Sequence, residues 1–164
     1  PAFNGASTFI VIDETSGLWL SSDSGVSWTK VLGSEGQFHA VASNPLFPTI
    51  FYAAKAEKIL MSSDAGISWV EVSSPLINSQ PITEFLDIEL LDDGSILAWG
   101  LADNDGQDLG QVFISVDSAV IWTNIGDAIG ESRSSVTSLG SSEIIANDQY
   151  YFLSTNLTLY TLAR

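Results

Sequence analysis

The stretch Ser21-Ser22-Asp23-Ser24-Gly25-Val26-Ser27-Trp28 decides the fold of this chain, because it is repeated. It recurs as Ser62-Ser63-Asp64-Ala65-Gly66-Ile67-Ser68-Trp69 and, in degenerate form, as Ser115-Val116-Asp117-Ser118-Ala119-Val120-Ile121-Trp122. We name these segments the first, second and third boxes. A weaker fourth copy begins Ser154-Thr155-Asn156 and has Tyr160 in place of the tryptophan. The aspartates recur at roughly 40- to 50-residue intervals, which predicts a chain of repeated supersecondary units.

Short runs rich in β-branched and aromatic residues surround each box, and Gly, Pro, Asn, Asp and Ser bound them. Such runs are typical of strands separated by turns. The runs directly before the boxes are 18–20, 59–61, 112–114 and 151–153, and those further upstream are 8–12, 38–43, 49–54, 85–91, 95–100, 135–139 and 143–147. Four strands in a period of about 40 residues predict the blades of a β-propeller.

We therefore predict an all-β fold, built as one domain over residues 1–164. It contains about four blades of four antiparallel strands each, with approximate boundaries at 1–33, 34–74, 75–127 and 128–164. Such blades form either a small closed ring or half of a larger assembled propeller. In a closed ring, the strand missing from the first blade comes from residues 1–7 or from the far terminus. An open arc instead favours self-association through its unpaired blade edges.

The residue types of the box suit a tight turn between the third and fourth strands of a blade. The carboxylate accepts hydrogen bonds from backbone N–H groups that the turn leaves unpaired, and the serine hydroxyl closes the turn from its other side. The glycine supplies a conformation that a Cβ penalises, and the tryptophan packs between neighbouring sheets. The predicted structural residues are Ser21, Asp23, Gly25, Trp28, Ser62, Asp64, Gly66, Trp69, Ser115, Asp117 and Trp122. We predict a structural clasp, because active sites are seldom copied once per blade, and a looser turn in the third box.

The pattern Ser-x-Asp-x-Gly-x-Ser-Trp resembles the Asp-box, or BNR, repeat of β-propellers. The passage 40–54, which contains Asn44-Pro45, is similar to the segment before the box in non-sialidase members. Those members include sortilin-type receptors, photosystem II assembly factors and xyloglucan-degrading glycosidases. The resemblance covers nearly the whole chain as repeats and implies a propeller, but the group is functionally mixed. A sialidase needs three arginines around its substrate, and this chain has only Arg133 and Arg164, so sialidase activity is not expected.

The charge balance limits the classes of partner. The chain has 20 acidic residues against five basic ones, a formal net charge of −15, and no cysteine. We therefore expect no binding to nucleic acid, whose phosphates would be repelled. We also expect no membrane insertion, since no run approaches the roughly 18 apolar residues needed to cross a bilayer. Disulfides and thiolate chemistry are excluded.

An acidic insertion distinguishes the third repeat: Asp103-Asn104-Asp105-Gly106-Gln107-Asp108-Leu109-Gly110. Carboxylate and amide oxygens around a glycine resemble part of a calcium loop, which makes Asp103, Asp105 and Asp108 candidate Ca²⁺ ligands. The alternative is a solvated acidic hairpin loop, and no other cofactor is expected. Turns alternate between the two ends of a blade, so this insertion falls on the end opposite the boxes, together with 54–58. That is the end at which propellers usually bind ligands.

The expected function is that of a non-catalytic structural or recognition module on an extracellular protein, a cell surface or a particle such as a phage virion. We expect it to self-assemble or to bind a protein partner, with carbohydrate as a further ligand class. No catalytic residue is predicted, and the only histidine, His39, is interpreted as structural. Two alternatives stay open: a fragment of a carbohydrate-active glycoside hydrolase propeller, and a calcium-stabilised structural subunit.

Overall fold

The computed structural model describes residues 2–3, 7–13, 15–77, 80–104 and 107–124, together with the backbone of three strands at 136–140, 149–154 and 159–163. Within this part of the chain all regular secondary structure is β-strand. The predicted all-β fold class is therefore confirmed. No helix that could span a bilayer occurs in the described segments.

The strands form antiparallel sheets in which each strand pairs with the next one along the chain. The first sheet contains β1 (Ala2–Phe3), β2 (Phe9–Asp13), β3 (Gly17–Ser21) and β4 (Thr29–Lys30), and the second contains β5 (Ala40–Ser43), β6 (Phe51–Lys55), β7 (Lys58–Ser62) and β8 (Val70–Glu71). A small hairpin of β9 (Leu76–Ile77) and β10 (Gln80–Pro81) precedes the third sheet, which contains β11 (Glu84–Leu90), β12 (Ile96–Asn104), β13 (Gln107–Ser115) and β14 (Thr123–Asn124). The fourth sheet has three described strands, β15 (Val136–Gly140), β16 (Gln149–Ser154) and β17 (Leu159–Ala163).

The first sheet takes its first strand from the region 1–7, one of the two sources considered from the sequence. Ala2 pairs with Ile10 and Phe3 pairs with Phe9, so β1 adds directly to the edge of β2. Each of the first three sheets is thus a meander of four strands, as predicted for a blade. The boundaries of the blades and of the domain stay predictions.

The fourth box lies at the end of β16. In the described part of the fourth sheet β15 pairs directly with β16, and β16 pairs with β17. Ser154 ends β16, the strand that precedes the last described strand, so the assignment of Ser154-Thr155-Asn156 as a fourth box stays a prediction. The predicted run 143–147 and residues 155–158 lie outside the described residues.

Two apolar layers hold neighbouring sheets together. Ile10 and Leu18 of the first sheet meet Phe51 and Ala53 of the second. The opposite face of the second sheet, with Tyr52 and Ile59 among its buried residues, meets the third sheet through Ile96, Ala98 and Phe113. Full burial of a side chain such as Phe51 or Phe113 stabilises the fold by about 1.5–3 kcal/mol.

The second sheet has one face toward the first sheet and the other toward the third. Ala53 and Leu60, which pair with each other, lie on the face toward the first sheet. The corresponding pair in the first sheet is Val11 and Trp19, and both side chains are only half-buried. The first sheet therefore presents an apolar face that no described sheet covers.

Candidate functional site

The box turns at one end of the sheets satisfy their own polar groups. After β3, Ser27 donates to both carboxylate oxygens of Asp23, from its backbone N at 2.9 Å and from its Oγ at 2.6 Å. Ser21 Oγ donates to Asp23 Oδ1 at 2.8 Å and accepts from the N–H of Gly25, also at 2.8 Å. Trp28 Nε1 donates to the carbonyl of Gly25. The carboxylate of Asp23, the hydroxyl of Ser21 and the indole N–H of Trp28 thus all have partners inside the turn, which suits a structural role.

The second box repeats this arrangement around Asp64. Ser68 donates to it through backbone N and Oγ, and Ser62 Oγ both donates to the carboxylate and accepts from Gly66 N. The hydrogen bonds from Ser68, above all, lower the pKa of Asp64 to about 2. Bonds from Ser27 and Ser21 lower the pKa of Asp23 likewise to about 2. Both groups are held as carboxylates, which does not suit a general acid.

The third box keeps the turn with fewer bonds. Asp117 accepts from the backbone N–H groups of Ile121 and Val120, but Ile121 has no hydroxyl to replace that of serine. Ala119 takes the place of glycine at a φ of 67° and still donates its N–H to Ser115 Oγ at 3.0 Å. The backbone bond from Ile121 is the main cause that lowers the pKa of Asp117.

The tryptophans of the boxes differ in their surroundings. Trp69 packs against the layer between the first and second sheets, and Trp122 packs against the layer between the second and third. Trp122 Nε1 also donates to the carbonyl of Ser73, which tethers the third box to the connection that follows the second sheet. Trp28, whose sheet has no described predecessor, remains 39% exposed.

A cleft of about 370 Å³ lies between the second and third sheets, at the end opposite the boxes. Its lining residues come from the β6–β7 turn, from the connections that lead into β5 and β11, and from the end of β12. They are Gln37, His39, Lys55, Ala56, Thr83, Glu84 and Leu101. The cleft therefore forms where two neighbouring sheets diverge, and connections rather than box residues line it.

Backbone hydrogen bonds fix the walls of the cleft. His39 N donates to the carbonyl of Ala54 at 2.9 Å, and Thr83 donates to the carbonyl of Leu101 from both its N and its Oγ1. Phe85 N, in the third sheet, donates to the carbonyl of Ala56, in the β6–β7 turn of the second sheet, at 2.7 Å. This hydrogen bond joins the two sheets beside the cleft and holds the side chains of the cleft on rigid strand ends.

A histidine and a carboxylate lie close together in the cleft. His39 Nε2 lies 3.4 Å from Glu84 Oε1, with the two side chains 18% and 28% exposed. Lys55 donates to the carbonyl of Glu35, and its Nζ lies 5.2 Å from the centre of the Phe38 ring. A partly desolvated cation–π contact of this kind contributes about 1 kcal/mol and restrains the ammonium group. The cleft thus offers one restrained cation, one carboxylate and amide and hydroxyl groups for hydrogen bonding.

Sequence reasoning missed this pairing and interpreted His39 as structural. His39 directly precedes β5 and Glu84 begins β11, so both lie at the starts of equivalent strands in adjacent sheets. Equivalent positions of adjacent blades are neighbours in space, so this correspondence was the available signal. Lys55, in the β6–β7 turn of residues 54–58, lies at the end that the sequence predicted for ligand binding.

The acidic insertion takes the form of a long hairpin. β12 and β13 each have nine residues, and their register pairs Asp103 with Asp108 and Asn104 with Gln107. Asp105 lies outside the described residues. No group of three acidic, histidine or cysteine side chains arranged for a metal occurs in the described part of the chain. Calcium binding by Asp103, Asp105 and Asp108 stays a prediction.

Comparison with known proteins shows the fold. No protein-family model and no curated protein matches the sequence. The structure of YCF48 bound to a D1 peptide matches with a TM-score of 0.62 at 20% identity, covering 98% of this chain and 52% of that one. YCF48 from Cyanidioschyzon merolae matches at 0.65 and 14% identity, covering 99% and 52%. The GH74 xyloglucanase from Xanthomonas campestris matches at 0.66 and 15% identity, covering 94% and 25%.

These neighbours are β-propellers, and at such identities the likeness extends to the fold alone. The chain spans about half the length of the two YCF48 structures that it matches. One neighbour was solved with a peptide bound and another is named as a glycoside hydrolase, so the fold is compatible with both binding and catalysis. The chain thus has the architecture of a run of propeller blades.

Proposed function

We propose that this chain is a non-catalytic recognition module that binds a protein partner at the end opposite the boxes. The observation that carries this proposal is the cleft between the second and third sheets. It is a concave site with a few convergent polar groups on rigid elements, which is the usual form of a binding site. The YCF48 structure with its D1 peptide supports a propeller of this kind as a peptide binder.

The composition of the cleft favours binding over glycoside hydrolysis. A glycoside hydrolase generally needs two carboxylates that flank the scissile bond, about 5–10 Å apart. Glu84 is the single carboxylate among the residues that line the cleft, and it is engaged with His39. The lining also includes no aromatic side chain on which a sugar ring would stack. The glycoside hydrolase alternative rests on the likeness to the GH74 fold, and hydrolysis of xyloglucan by the purified chain is its direct test.

We further propose that the boxes are Asp-box repeats, and that the protein acts outside the cell, on a cell surface or on a virion. The self-satisfied turns around Asp23 and Asp64 support the first point, since they reproduce the roles that the resemblance implies. The net charge of −15 supports the second, because it favours solubility. Localising a tagged protein in its native host is the measurement that tests this assignment.

Selection from a displayed library of random dodecapeptides tests the proposed cleft. We expect the selected peptides to bind Lys55→Ala and Glu84→Gln at least about tenfold more weakly, the effect of removing a charged hydrogen-bonding group. Lys58→Ala is the matched control, since Lys58 lies in the same turn but pairs with Glu71 away from the cleft, at 2.8 Å. Selected peptides that bind all three variants equally would refute the cleft, and xyloglucan hydrolysis abolished by Glu84→Gln would refute a non-catalytic role.

Self-association is a second candidate, favoured by the uncovered face of the first sheet. Trp28 is 39% exposed, and Val11 and Trp19 are half-buried, whereas their equivalents in the next sheets pack against a neighbour. Burying such a face in a second copy would remove apolar surface from water. Sedimentation equilibrium of the purified chain tests it, and a monomer at high concentration would exclude self-association.

A further inference from the structure

We propose that the outer edge of β13 binds an extended segment of a partner protein as an added antiparallel strand, and that this segment carries lysine or arginine. The inference rests on the proposed function, because it names the form in which a protein partner is bound. The edge belongs to the hairpin arm, residues 102–104 and 107–110, which continues β12 and β13 beyond Leu101 at the end of the cleft.

The arm extends past the strands that flank it. β13 pairs with β12 from Gln107 to Ser115, but with β14 only at Phe113 and Ile114. On its other side, β12 pairs with β11 only as far as Leu101. In the first two sheets the third strand has five residues instead of nine, and no such arm forms. Among the described residues, no strand pairs with the outer edge of β13 between 107 and 112.

The backbone groups that face this edge follow from the register. The carbonyl of Leu101 accepts from Thr83, so it points toward the side of β11 and away from β13. Residues directly opposite in an antiparallel pair either exchange both hydrogen bonds or neither, and the two kinds alternate. Leu101 and Gly110 therefore form a non-bonded pair, and the N–H and C=O of Gly110 point to the outer edge. By the same alternation, those of Asp108 point there too.

Composition leaves this edge open to pairing. Natural edge strands are commonly protected by charged side chains, above all lysine, by proline or by a bulge. The segment Gln107-Asp108-Leu109-Gly110-Gln111-Val112 contains no lysine and no proline, its single charged residue is Asp108, and it pairs with β12 without a register shift. Gly110 within a strand leaves room for another backbone to approach closely. An added strand over this segment pairs main-chain groups at its edge, which is the basis of binding by strand addition.

Charge specifies the partner. The register places Asp103 directly opposite Asp108, and cross-strand partners share one face of the sheet. Like charges directly opposite destabilise a hairpin, so a cation brought beside them by the added strand stabilises the arm and the complex together. The net charge of −15 also attracts basic segments from solution.

The test uses the acetylated and amidated peptide KVKVKVKVK with the intact chain, followed by amide hydrogen exchange and ¹⁵N NMR. We expect the peptide to slow exchange at Asp108 and Gly110, and we expect the equally charged KPKPKPKPK, which cannot pair as a strand, to have no such effect. Gly110→Pro removes the outward N–H and should weaken binding about tenfold, while Gly110→Ala keeps the donor and should bind. Continued exchange protection of Leu109 and Gln111 in Gly110→Pro shows that the hairpin is intact.

A charge reversal provides the second variant. Asp108→Lys should move the preference from KVKVKVKVK to EVEVEVEVE. Three results would each overturn the inference. The first is equal exchange protection by KPKPKPKPK, and the second is unchanged peptide binding by Gly110→Pro. The third is that Ca²⁺ shifts the resonances of Asp103 and Asp108 while the peptide shifts none. If the edge fails while the selected dodecapeptides still require Lys55, the proposed cleft stands. If KVKVKVKVK still slows exchange at Gly110 while the selected dodecapeptides bind Lys55→Ala as tightly as the wild type, the proposed cleft is wrong and the proposed edge stands.

Discussion

The substitution Gly66→Ala measures how tightly the second box is packed into the seam between two sheets. Gly66 has a φ of +88°, and a Cβ at this position would lie 2.6 Å from Ile10 Cδ1 and 3.3 Å from Leu20 Cδ1. Ile10 is fully buried, so it has little freedom to move. The left-handed conformation costs a residue with a Cβ about 1–2 kcal/mol, and overpacking of a core adds about 1–3 kcal/mol. We expect the free energy of unfolding to fall by about 2–5 kcal/mol, as measured by urea denaturation.

Gly25→Ala is the matched control for this measurement. Gly25 has the same φ of +88°, but a Cβ there would contact only Trp28 Cζ2 at 3.7 Å. The backbone cost is therefore the same and the overpacking cost is absent, so we expect a loss of about 1–2 kcal/mol. Equal losses in the two variants would refute the packing argument, since they would leave the backbone conformation as the sole cause.

Three further predictions follow from the boxes and the hairpin arm. The pKa of Asp64 is lowered from 3.8 to about 2, so its stabilising contribution is complete above about pH 4 and disappears as pH falls toward 2. In acid titrations of thermal stability, Asp64→Asn should lose less stability than the wild type over this range, and an identical pH dependence would contradict the assigned bonds. Trp69→Ala should cost about 3–5 kcal/mol in chemical denaturation, and Trp28→Ala clearly less, because Trp28 is 39% exposed. If Asp103 and Asp108 bind calcium, Ca²⁺ should raise the melting temperature and EDTA should reverse the rise, whereas Asp103→Asn with Asp108→Asn should remove both effects.

The strands were predictable because turn chemistry and local apolar patterns fix them. The run 59–61 before the second box became β7 (Lys58–Ser62), and 49–54 became β6 (Phe51–Lys55). The sequence of the box predicts its turn geometry, because a carboxylate two residues after a serine and two before a glycine lies close to the hydrogen-bond donors of its own turn. Such features depend on a few neighbouring residues, which a single sequence displays in full.

The features that the sequence missed depend on partners distant along the chain. For residues 103–110 the sequence left a calcium loop and a solvated acidic hairpin loop open, and it did not show that β12 and β13 extend as far as the pairing of Asp103 with Asp108. The pairing of His39 with Glu84 joins residues 45 positions apart, and only the side-by-side arrangement of two sheets brings them together.

The proposed roles of the two ends of the sheets differ: the box end stabilises the fold, and the opposite end binds the partner. At the box end, Asp23 and Asp64 use the same donors in the same positions, and each turn consumes the polar groups that it presents. The first two boxes therefore present nearly the same polar groups, and those groups hold the turn. At the opposite end the connections differ from sheet to sheet, and the proposed cleft at Lys55 and the proposed arm at Gly110 both lie there. Selectivity for a partner requires features that differ between blades, so we expect substitutions of Asp23 and Asp64 to alter stability and leave partner specificity unchanged.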